Sequence, residues 1–199
     1  MLDQQAAEAL PGGVDPALLP EVAHTTAAAI VHGARALDDP DLVSRLVRLV
    51  ESEGLDVVAS MWADAGPHSL PGALWRLYVL RQWVRRDPAT LAARYLTGIT
   101  AAPVHEVVAG VASPPGPQEL SDLADSVLGG VFTGDLDVAL ERAAAFCRVL
   151  AAGVALDADE HEAADELRAA HETRGAASLV RTAEELEHCA VLWRADRLD

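Results

Sequence analysis

Residues 69–86 read SLPGALWRLYVLRQWVRR. Ser69 carries the short hydroxyl side chain that suits a helix N-cap, and Pro71 falls in the first turn, where its missing N–H costs nothing. Leu70, Ala73, Leu74, Trp75, Leu77, Tyr78, Val79 and Leu80 then occupy nearly the whole helical circumference, and Trp83 and Val84 carry the pattern a turn further. A helix that is apolar all round is normally enclosed by other helices. Two of the chain's four tryptophans lie here, and aromatic side chains bury the most area each. The expectation is an all-α fold, a multi-helix bundle of about eight to ten helices around a central apolar helix near 69–86.

The same stretch carries Arg76, Arg81, Arg85 and Arg86. At the helical period Arg81 falls between Leu74 and Leu77, inside an apolar face. A buried arginine needs a carboxylate or several carbonyls. Either this acid-rich chain supplies that carboxylate itself, or the four arginines form a site for an anion or for a partner's acidic anchor. A ligand pocket beside Trp75 and Trp83 is a further candidate.

Composition narrows the classes. The chain has 199 residues, enough for one real core. It is 51% apolar but only 4% aromatic, a balance that favours closely spaced helices over sheets. The formal charge of −16 speaks against nucleic acid and against anionic membrane surfaces, which both require clustered cations. All 15 basic residues are arginine, so chemistry that needs a P-loop lysine, a Schiff-base lysine or a Ser-x-x-Lys pair is excluded. Cys147 and Cys189 are too few for a disulfide framework or a cysteine zinc site. The opening residues MLDQQAAEALPGG lack a basic, apolar leader, and no uncharged stretch is long enough for a bilayer. A cytoplasmic location is expected.

Along the chain, residues 1–16 read as a poorly ordered segment and 17–199 as a single helical domain. A helix is expected over 18–37 with Val22, Thr26, Ala29, Gly33 and Leu37 on its contact face, and another over 40–54 opened by Asp39-Pro40. A short helix at 56–65 precedes the 69–86 helix. Asp87-Pro88 opens a short one up to Gly98, and 103–112 is a further segment. Ser113-Pro-Pro-Gly-Pro117 is the clearest break, a hinge between halves or a rigid connection. Residues 118–130 are expected to be helical. Thr133 caps a helix to about Ala152 whose stripe is Leu136, Leu140, Ala143, Cys147 and Leu150, which makes Cys147 a core residue. An acidic helix at 157–172 is expected to be broken at Gly175. The last helix, 177–194, carries Leu179, Ala183, Leu186, Ala190 and Trp193 at bundle spacing.

Two Glu-x-x-His segments, Glu21–His24 and Glu185–His188, match what a ferritin-like di-iron carboxylate bundle uses when the side chains project inward. The helical period turns them the other way. Both histidines fall about 180° from the centre of their apolar stripes, and both glutamates about 120° away. His161-Glu162-Ala-Ala-Asp165 begins like the zinc helix motif but lacks its second histidine. No nucleophile elbow, dinucleotide fingerprint or EF-hand loop is present.

The first functional expectation is therefore an interaction or regulatory module with a basic patch in an acidic protein, acting on a protein partner or by self-association. The alternatives are a bundle that binds a metal or small ligand, and an enzyme holding an anionic substrate on Arg76 and Arg81. No cofactor is expected.

Overall fold

The computed structural model describes residues 19–32, 54–101, 114–130, 135–161 and 166–199. Among the described residues there are seven helices and no strand. They are α1 (Leu19–His32), α2 (Leu55–Ser60), α3 (Leu70–Arg86), α4 (Pro88–Ala101), α5 (Pro117–Leu128), α6 (Leu136–His161) and α7 (Glu166–Arg194). The expected 1–16 segment, the helices at 40–54 and 103–112, Ser113 and the Thr133 cap lie outside the described residues.

Among the described residues seven helices stand against the eight to ten expected for the whole chain, and the difference there lies at the glycines. Three expected segments, 133–152, 157–172 and 177–194, are two long helices, because neither Gly153 nor Gly175 ends one. α6 and α7 run antiparallel along their length. Arg194 bonds Asp137 at one end, Arg148 bonds Glu187 midway, and Gly175 lies beside Val154 further along. Gly98, expected to stop α4, is instead a contact point in its interior. A β-carbon there would fall 2.0 Å from the Val149 carbonyl oxygen of α6. The helices cross at van der Waals distance between backbones, which only glycine permits.

Local signals place the helix starts as the sequence suggests. The Ser69 hydroxyl oxygen accepts the Gly72 N–H at 3.2 Å and caps α3. Asp87 closes α3 and caps α4, accepting the Thr90 N–H at 3.2 Å, with Pro88 as the first helical residue. The α6 stripe is buried throughout, with Leu140, Ala143, Cys147 and Leu150 fully enclosed. Phe146 and Val149, off that stripe, are enclosed as well, so α6 is the most thoroughly buried helix described. On α7, Leu179, Ala183, Leu186 and Ala190 are buried, while Trp193 is half-buried and stacks on His32 of α1 at 5.3 Å.

Two contact faces differ from the pattern read in the chain. α1 buries Ala23, Thr26, Ala27 and Ala29 and leaves Val22 exposed. Its inward face centres on small residues, so that Trp62 reaches in and donates from its ring N–H to the Thr26 hydroxyl at 2.9 Å. α3 is not enclosed on all sides. It buries Leu70, Ala73, Leu74, Leu77, Leu80 and Val84, touching α1, α2, α4, α5 and α7. Its opposite flank is wetted: Val79 is 42% exposed, and Trp75, Tyr78 and Trp83 are half-buried. No described helix is long and apolar enough to cross a membrane.

Candidate functional site

The open flank of α3 faces the middle of α7, and between them lies a groove of about 410 Å³. Trp75, Val79 and Trp83, one residue per turn of α3, form one wall. Gly175, Ser178 and Thr182 of α7, again at helical spacing, form the other. Small side chains on one wall and large ones on the other leave the depression open along its length. Trp75 is braced by Tyr78, with ring centroids 5.4 Å apart.

One end of the groove is closed by an ion pair. Arg76 donates from Nε to a Glu185 carboxylate oxygen at 2.7 Å, and from a second nitrogen to the Gly72 carbonyl at 2.8 Å. Both side chains are largely withdrawn from water, at 17% and 20% exposure. Adjoining it at Val79, a second depression of about 490 Å³ is lined by Tyr78, Gln82, Arg85 and Arg86. There the Tyr78 hydroxyl donates to Asp56 at 2.9 Å and accepts from Gln82 at 2.8 Å. Burial holds this phenol above its usual pKa, so it stays a donor.

The four arginines have separate fates. Arg81, the one expected inside an apolar face, is closed by Asp125 of α5. Arg85 bonds the other oxygen of the same carboxylate at 2.6 Å. Arg76 is held by Glu185. Arg86 is exposed and has no carboxylate partner among the described residues.

The structure does not gather the Glu-x-x-His residues. Glu21 and His24 are exposed on α1, and His24 Nδ1 lies 2.8 Å from the Pro20 carbonyl oxygen of its own helix. Glu185 is engaged by Arg76. His188 is exposed, its ring against that of His68 at 4.5 Å. Among the described residues no three His, Cys, Asp or Glu side chains are grouped to hold a metal ion. The thiols lie in the core. Desolvation pushes Cys147 up to about 12 and Cys189 up to about 11, the latter donating to the Pro67 carbonyl at 3.4 Å.

No protein-family model, curated protein or solved structure matches the chain.

Reading the chain alone located one wall of the groove, through Trp75 and Trp83, and missed the other. The α7 side adds Arg174 and Arg181, both exposed. They flank Ser178 at i−4 and i+3, about 5–6 Å away on the same helix surface. The available signal was the run Gly175, Ser178, Thr182, small residues at helical spacing beside arginines. It was masked by taking Gly175 for a helix end.

Proposed function

We propose that the protein is an interaction module and that the groove between α3 and α7 receives a segment of another protein. The observation that carries this is the open, tryptophan-walled depression centred on half-exposed Val79. Contiguous exposed apolar surface with a polar rim marks interaction sites. Aromatic and arginine side chains are the groups on which binding energy concentrates. An enzymatic reading has less support. Catalysis needs convergent titratable groups, and the charged groups lining the groove, Arg76 and Glu185, are bonded to each other.

A small-ligand reading draws on the volume, which falls in the range of about 300–1,000 Å³ typical of such pockets. The open long side favours a partner that lies along the groove over one that must be engulfed. The charge of −16 leaves nucleic acid outside the proposal.

The test is fluorescence anisotropy of a dye-labelled, designed amphipathic helical peptide titrated with the whole chain. Saturable binding that is lost in Val79→Glu supports the reading. Absence of binding, or binding indifferent to that substitution, sinks it. Val79 is exposed enough for the variant to fold, which circular dichroism checks directly.

A further inference from the structure

We infer that the segment received by the groove is an amphipathic helix with acidic residues flanking its apolar stripe, an inference that rests on the groove being a docking face.

The shape selects a helix. Both walls are helices, and among the described residues there is no strand edge to which an extended peptide can add. Trp75 to Trp83 spans about 12 Å at 1.5 Å per residue, the length over which a partner helix presents apolar side chains at i, i+4 and i+7. Opposite, Gly175, Ser178 and Thr182 project little, so a helix backbone can come close to α7 while its larger side chains meet the tryptophans.

The charge selects the flanks. Arg174 and Arg181 are exposed on α7 within a turn of Ser178, and Arg86 lines the depression that adjoins the groove at Val79. None of the three has a carboxylate partner among the described residues. Set against them are Asp56, bonded to the neutral donors Tyr78 and Gln82, and Asp87, which caps α4. The rim therefore keeps a positive excess inside a chain whose total is −16. A partner with acidic flanks meets complementary charge here and repulsion over the rest of the surface, which confines it to this site.

The experiment uses three dye-labelled peptides with one apolar stripe and flanks of glutamate, glutamine or lysine, titrated by anisotropy at low salt. The glutamate peptide is expected to bind about tenfold tighter than the glutamine one, as a few rim ion pairs provide. Added salt should shrink that gap. Arg86→Glu with Arg181→Glu should erase the preference while leaving the glutamine peptide's affinity in place. Equal affinity for the three peptides, or tighter binding of the lysine one in the groove, overturns the partner chemistry and leaves the docking face standing. If no peptide binds, or binding survives Val79→Glu, both fall. Sedimentation showing a dimer of the chain that Val79→Glu dissociates makes a second copy the occupant and overturns the inference.

Discussion

The carbonyl oxygen of Arg94 sits over Gly153 so closely that a β-carbon on Gly153 would fall 1.9 Å from it. The crossing is reciprocal, with Gly98 against the Val149 carbonyl at 2.0 Å. The side chain of Arg94 then ties the same place to both long helices, bonding Asp157 of α6 at 2.7 Å and buried Glu172 of α7 at 3.0 Å. Gly153→Ala and Gly98→Ala each force backbone apart, and each is expected to cost about 3 kcal/mol or more, the upper end of overpacking effects. At Gly175 the nearest atom to a β-carbon is 3.9 Å away. There alanine relieves a helix-interior glycine and should stabilise by about 0.5–1 kcal/mol. Thermal melts of the three variants, two lowered and one raised, check the distinction between crossing and bystander glycines.

Trp62 and Thr26 share a hydrogen bond in an apolar surround, with the indole fully enclosed and the threonine 2% exposed. Thr26→Val strands the indole N–H and should cost about 1–3 kcal/mol, more than a shape-conserving swap without polar loss. Trp62→Phe added to Thr26→Val should cost less than the two single changes summed, because the stranded donor is gone. Denaturant titrations of the full cycle read this coupling.

The thiols set an alkaline limit. Burial raises the Cys147 pKa from 9.0 to about 12, so the folded chain holds its proton where the unfolded chain has lost it. The stabilising contribution is whole below pH 9.0 and is lost as pH climbs towards 12. Urea midpoints measured from pH 8 upward should fall, and the Cys147→Ala variant should fall less steeply. A thiol reagent at pH 8 should label the native protein far more slowly than the unfolded one.

After α7 the chain turns on Asp196, whose φ of 54° is left-handed for a residue with a side chain. The turn is closed by the Arg197 N–H donating to the Leu192 carbonyl at 2.9 Å, and it lets Leu198 bury and the Asp199 main-chain oxygen accept the Leu70 N–H at 2.8 Å. Glycine is the residue such a cap prefers. Asp196→Gly is therefore expected to raise stability by about 0.5–1 kcal/mol, read as a higher melting temperature.

Much of the candidate site was only half legible. Trp75 and Trp83 announce themselves as large residues on an apolar helix, yet their partial exposure depends on what fails to cover them. Arg76 is visible in the chain, but its partner Glu185 lies 109 residues away, and that glutamate looked instead like part of a Glu-x-x-His pair. Asp125 takes up Arg81 across 44 residues. Both partners come from helices whose docking no pattern in the 69–86 stretch encodes.

The chain by itself determined that it is helical, where Ser69 and Asp87-Pro88 start two helices, and which stripe of α6 is apolar. Caps and periodicity act within one or two turns, so their physics is complete in a short run of residues. Only the tertiary structure decided that Gly98 and Gly153 are crossing points and not stops, that α6 is the most enclosed described helix, and that one flank of α3 is left open opposite α7. Those outcomes depend on which surfaces meet, and a surface is wet or dry according to its neighbours and not its own composition.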